Sequence, residues 1–280
     1  MAHWKQRAII GALLAALLFA CSPLAVADVG SGTPLDAGYF DMYNLDFPAA
    51  HGAFHTWEKL HPDDPLGPVS DAAAYLFSEF HRLHILEVEL FTDNQKYEKR
   101  DKPSPDPAAK SGFEQALADS QHLADQILAK DPQNRNALFA EILANGLHGD
   151  YVALIEKRNF ASLSYMKTSR ALADKLLALD PSYCDAYLAV GVENYLLGLN
   201  PAPVRWLLRL GGSQTDKDQG IAKLKLASEK GHYLAPFARL LLAVAALRDH
   251  DRATAKGLLQ GLAQQFPNNP LYQKELAKLN

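Results

Sequence analysis

Apolar positions along most of the chain recur at three- and four-residue spacing, the signature of helices with one buried face. In residues 169–189, Leu172, Leu176, Leu177 and Leu179 fall largely on one side of a 3.6-residue helix, and the run stops at Asp180-Pro181. Proline disfavours helical geometry at the residue before it and cannot donate a backbone bond, so each such stop predicts a turn before the next helix. A helical pattern also runs from Ser70 to about Lys99, and residues 148–163 are expected to continue a helix. Residues 99–112, charged and carrying three prolines, predict an exposed loop. The apolar stretch 234–247 is interrupted by Arg239 and predicts a buried helix, since it is too short to cross a bilayer.

The same pattern occurs more than once. Residues 120–140 and 169–189 are identical at 10 of 21 aligned positions. Within them, a small residue is followed by packing residues four and seven positions later and by proline twelve positions later. Ser120, Ala124, Ile127 and Pro132 fit, as do Ser169, Ala173, Leu176 and Pro181. Ala50, Phe54, Trp57 and Pro62 supply an early copy, and Ala255, Leu259, Leu262 and Pro267 a late one. Residues four and seven apart share a helix face. A small residue at the head of that face lets a second helix approach the first. After Pro181, Tyr187, Val190, Gly191 and Asn194-Tyr195 continue the pattern into the next helix, whereas Ile142 occupies the corresponding small position after Pro132.

This arrangement resembles the tetratricopeptide repeat. The resemblance implies an all-α fold, a right-handed superhelix of antiparallel helix pairs, over residues 28–280. Residues 191–231 also resemble a block found in exported bacterial tetratricopeptide proteins, through Gly191, Pro201 or Pro203, Leu207-Leu208, Gly211-Gly212, Asp216 or Asp218, and Gly220-Ile221. That block has no catalytic motif and implies a repeat scaffold. In such arrays the first helices of the pairs line a concave face. By repeat phase, that face here includes Phe139, Leu143, Leu188, Val192, Tyr195, Phe237, Leu240 and Val244. Asn145 and Asn194 each lie 13 residues beyond a repeat proline and need a hydrogen-bonding reason to sit inside a helix. One reason is a bond across the helix pair; the other is a contact with a ligand. The mostly apolar face suits an apolar helix, a peptide or a lipid tail, or filling by the protein's own segments.

The start of the chain changes the compartment. Lys5 and Arg7 precede an unbroken apolar run, Ala8 to Ala20, of secretory rather than membrane-spanning length. Ala25-Val26-Ala27 offers small residues for cleavage, predicting a signal peptide over 1–27 and a periplasmic product. Leu18-Phe19-Ala20-Cys21 is the competing reading, a lipoprotein box with an anchor on Cys21. The segment 1–27 carries two basic and no acidic residues, so its removal takes the net charge from −4 to −6. That balance argues against nucleic acid as partner. Only Cys184 then remains, so no internal disulfide is expected.

Candidate chemistry is sparse. His51 and His55 are four apart, and His81 and His84 three apart with Glu87 beyond, but no third and fourth ligand follow at a recognisable metal spacing. Neither a nucleophile elbow nor a phosphate loop occurs. Gly211-Gly212 reads as a helix stop, with an anion-binding nest as the alternative, and Thr215 with Asp218 as a capping box. The expectation is a non-enzymatic scaffold with no cofactor and no metal. It would bind another protein or a peptide, with an apolar small molecule or lipid as the alternative ligand.

Overall fold

The computed structural model describes residues 32–87, 92 and 99–279; the leader and Cys21 lie outside them. Twelve α-helices occur among the described residues. They are α1 (Pro34–Tyr43), α2 (Phe47–Leu60), α3 (Leu66–Arg82), α4 (Pro107–Lys130), α5 (Arg135–Asp150) and α6 (Asn159–Leu179). The chain continues with α7 (Tyr187–Gly198), α8 (Ala202–Leu210), α9 (Lys217–Lys230), α10 (Ala235–Arg248), α11 (Arg252–Gln265) and α12 (Pro270–Lys278). The architecture is an all-α, tetratricopeptide-like solenoid. α1 packs on α2, α3 on α4, α5 on α6, α7 on α9 and α10 on α11, and each pair leans on the next. No helix of the described residues is long and apolar enough to cross a membrane.

The repeat proline acts through the residue before it. His61, Asp131, Asp180 and Phe266 are the C-caps of α2, α4, α6 and α11, with φ of −136, −133, −146 and −125°. These extended values are what a following proline favours. In each case the N–H three residues on (Asp64, Asn134, Tyr183, Asn269) donates back to the cap carbonyl at 3.0–3.1 Å. One turn is thus built four times, and it reverses the chain into the next pair.

The small positions sit where the pairs touch. Ala50, Phe54, Ser120, Ala124, Ala173, Leu176, Ala255, Leu259 and Leu262 have no accessible surface. Two of the small residues are serines, and their hydroxyls are satisfied across the pair. Ser120 Oγ donates to the Pro65 carbonyl and Ser169 Oγ to the Ile142 carbonyl, both at 2.9 Å. A fifth copy, Gly220, Leu224 and Ala227 on α9, packs against Gly191 of α7 without a proline twelve positions on.

Three boundaries differ from expectation. The pattern from Ser70 towards Lys99 is interrupted after Arg82, because His84 turns to φ 55° and Leu83 N–H closes the last turn on Glu79; residues 88–91 and 93–98 of it lie outside the described residues. Residues 107–112, expected in the loop, open α4. Asp106 accepts from the Ala108 and Ala109 N–H groups, and Pro107 occupies the first turn, where its missing N–H costs nothing. The helical run expected over 148–163 breaks into a π-turn at Tyr151–Ile155 and restarts at Asn159, with Lys157 at φ 57° between them.

The first and last pairs also meet. Asn268 N–H donates to Asn44 Oδ1 at 3.1 Å, Asn269 Nδ2 to the Tyr43 carbonyl at 2.9 Å, and the Tyr43 hydroxyl to the Tyr233 carbonyl at 2.9 Å. The Tyr39 and Tyr233 rings stack at 4.8 Å, and His232 Nε2 lies 2.5 Å from Asp36 Oδ1. A core therefore runs continuously from Leu35 to Tyr272.

Candidate functional site

The residues assigned to the concave face do not form one open surface. Phe139 has no exposure, and its ring lies 5.0 Å from Tyr183. Asn194, Tyr195 and Val244 are also buried, at 2, 5 and 7% exposure. Leu143, Leu188, Val192, Phe237 and Leu240 are half-buried and pack against the core. Phe237 meets Phe77 edge-on at 5.6 Å, joining α10 to α3 across 160 residues of chain. Phe139, Asn194, Tyr195 and Val244 are therefore core residues rather than a binding face. Their partners lie on neighbouring elements: Phe139 meets Tyr183, Asn194 the turn before α9, and Tyr195 packs with Leu224, Leu242 and Ala245.

Of the two asparagines, Asn194 makes the bond across the pair and Asn145 makes neither contact expected of it. Asn145 Nδ2 donates to the Glu141 carbonyl of its own helix at 2.9 Å and lies 3.3 Å from the Glu141 carboxylate. Asn194 bonds across the pair. It donates to the Gln214 side chain at 2.8 Å and accepts from the Asp216 N–H at 3.3 Å, so it holds the turn that launches α9. Asp216 is itself the N-cap of α9, accepting from Asp218 and Gln219 N–H, one position later than the expected Thr215. Thr215 is buried and accepts from Arg209 Nε at 2.7 Å.

A surface does remain, on the insertion between α7 and α9. None of the nine residues of α8 is buried. Pro201 and Pro203 bracket its start, and Gly212, at φ 81°, ends it in a left-handed turn suited to glycine. Arg205 and Arg209 share one face, four residues apart, and that face bonds to the segments flanking the helix. Arg205 donates to the Asn200 carbonyl at 3.1 Å, and Arg209 to Thr215. Pro203, Trp206, Leu207 and Leu210 take the opposite face by their spacing. Trp206, Leu207 and Leu210 are 64, 65 and 66% exposed. The helix is amphipathic with its apolar side turned to solvent. Leu196 and Leu199, also exposed, lie at the end of α7 just before it. Exposed apolar residues scattered singly, such as Phe160, are ordinary; a run of them on one helix face is not.

Of the histidine pairs, His81 and His84 separate. α3 ends between them, His84 is largely exposed 3.6 Å from Glu87, and Glu87 also accepts from Lys274 Nζ. His51 and His55 stay together on α2 and converge on Asp71 of α3, a buried carboxylate. Glu58 follows on the same face of α2 and sits half-buried. Burial and then the like charge of Asp71 push its carboxyl above the usual range, against the opposing pull of His55. Asp71 carries no local signal in the sequence, since it lies 16 residues beyond His55 on another helix. The half-buried thiol of Cys184 is free, in a 3-10 turn. The cleft between α3, α4 and the π-turn, lined by Tyr75, Glu79, Phe113 and Tyr151 among others, has a cavity volume of only about 10 Å³, too little for a small-molecule ligand.

No protein-family model and no curated protein matches the chain. Among solved structures, the chain is similar to a thermophilic TPR protein of Thermus thermophilus. The likeness covers 88% of this chain and 96% of that one, with a TM-score of 0.44 and 16% sequence identity.

Proposed function

We propose that the protein is a non-enzymatic, exported helical-repeat scaffold that docks a partner protein through α8. The observation that carries this reading is the orientation of α8: its arginines bond to the segments that join it to α7 and α9 while Trp206, Leu207 and Leu210 face solvent. Leaving such a face in water forgoes about 1.5–3 kcal/mol for each large apolar side chain that burial would recover. Tryptophan and the leucines around it are well placed to act as anchors in an apolar groove of the partner. A few such residues dominate binding energy at about 2 kcal/mol or more each. The solenoid supplies rigidity and leaves α8 projecting from one pair. Export rests on the leader pattern of residues 1–27, with cleavage after Ala27 preferred over lipidation of Cys21.

The test pairs stability with capture. Trp206→Asp and Leu210→Asp should leave the urea midpoint within about 0.5 kcal/mol of the parent, because neither side chain is buried. The same variants should abolish capture of the polypeptide that copurifies from the native host. Capture that survives both changes, or falls only in step with the folded fraction, defeats the reading. Copurification of lipid in place of a polypeptide would move the assignment to the apolar-carrier alternative.

A further inference from the structure

The α2–α3 face holds a polar cluster that neither the packing nor the docking surface uses. His51, His55 and Glu58 recur at i, i+4 and i+7 on α2, and Asp71 of α3 lies against them. Asp71 is 4% exposed. Its Oδ1 lies 2.5 Å from His51 Nδ1, and its Oδ2 lies 3.3 Å from His55 Nε2. One ligand atom each from His55, Glu58 and Asp71 falls within 4.8 Å of the other two. Two carboxylates are thereby held side by side on neighbouring helices. That arrangement is unfavourable unless positive charge stands between them.

We propose that His55, Glu58 and Asp71 form a binding site for a divalent transition metal, with zinc as the reference ion. An imidazole with two carboxylates is a ligand set for zinc and its first-row neighbours; calcium and magnesium prefer oxygen alone. At ligand bonds near 2.0–2.2 Å, two ligand atoms of a tetrahedral ion sit roughly 3.4 Å apart. His55 and Asp71 already meet that spacing. Glu58 is half-buried and His55 exposed, so both can close the remaining distance by rotating about their side-chain bonds. His51 takes the place of an outer-shell partner. It holds the other oxygen of Asp71 and so orients the carboxylate towards the ion. Three protein ligands leave a position for water, and the ion would clip α2 to α3 within the first two pairs. The simpler arrangement, in which the two histidines only satisfy the buried Asp71, makes no use of Glu58.

The experiment titrates full-length, chelator-stripped protein with Zn²⁺ alone by calorimetry, and with Co²⁺ followed by its visible absorption. His55→Gln and Glu58→Gln are the diagnostic variants. Both side chains are partly exposed, so folding survives the changes, as circular dichroism will verify. His122→Gln, on the exposed face of α4, is the control. The parent should bind one Zn²⁺ per chain, with a melting temperature that rises on binding. His51→Gln should weaken binding about 10–100-fold, as outer-shell losses do, and loss of His55 or Glu58 should exceed that. The control should match the parent. No binding below millimolar Zn²⁺, or an affinity indifferent to both His55→Gln and Glu58→Gln, overturns the proposal.

Discussion

Gly220→Ala tests the packing of the fold where two helix backbones approach closely. A Cβ at this position would lie 2.5 Å from Tyr195 N, 2.8 Å from Tyr195 Cα and 2.9 Å from the Gly191 carbonyl oxygen. All three atoms are backbone of α7, so no side chain can rotate aside. Ordinary contact begins at about 3.5 Å, and restoring it requires α7 and α9 to part by about 1 Å. Overpacking of this kind costs about 1–3 kcal/mol, and an immovable obstacle belongs at the upper end. Alanine returns about 1 kcal/mol of helix propensity, leaving a net loss of about 2 kcal/mol. Gly257→Ala on α11 is the matched control, since no atom lies within 4 Å of the added Cβ. It should gain about 0.5–1 kcal/mol from propensity alone. Urea midpoints at constant m-value should therefore separate the two variants by about 3 kcal/mol, in opposite directions from the parent. A Gly220→Ala protein as stable as Gly257→Ala would refute the close approach of α7 and α9.

Further outcomes follow from individual residues. Leu176 has no exposed surface, so Leu176→Ala should lower stability by about 2–5 kcal/mol in the same urea assay, and Leu177→Ala, at a half-buried position, by less. The carboxyl of Asp150 is pushed up to about 7 by burial, so the folded chain holds a proton that the unfolded chain releases near 3.8, and stability should fall as pH rises between these values. Asp150→Asn should accordingly stabilise by about 1–3 kcal/mol at pH 8 and leave stability at pH 3 nearly unchanged; equal pH slopes in both proteins would contradict this. Asp36 runs the other way: burial raises its carboxyl, but the Thr33 backbone and His232 outweigh that and hold it below the usual range. Its stabilisation of the contact between chain ends should persist above the unfolded value and disappear as pH drops through the folded one. Protection of Tyr233 from exchange should follow, and Asp36→Asn should remove the effect. N-terminal sequencing of exported protein should begin at Asp28, and a diacylated Cys21 would establish the lipoprotein reading instead.

The repeat is legible in the sequence because it is a local rule. Small residue, packing residues and proline all lie within one helix and its following turn, and Ser120, Ser169, Ala50 and Ala255 each occupy the helix-pair contact. The copy at Gly220 lacks its proline, carrying His232 in that place, and it follows the α8 insertion, so the spacing that exposes the others is absent. The concave face is not legible, for a different reason. Repeat phase tells which side of a helix faces the superhelix axis, but not whether distant repeats meet there. The Phe77–Phe237 contact depends on curvature summed over the whole array. The amphipathic spacing of α8 is likewise present in the sequence, yet spacing identifies the apolar face without saying whether it points inward. Asp71 is hidden because its histidines are neighbours on one helix while it stands on the next.

The central claim is that α8 carries the docking surface. Its most direct measurement is photocrosslinking in the native host, with a photoreactive residue in place of Trp206, of Leu210, or of Phe160, an exposed aromatic at 92% that stands alone on α6. The account predicts one and the same polypeptide adduct at positions 206 and 210 and none at 160. An adduct pattern identical at all three positions, or lipid adducts alone at 206 and 210, would contradict it.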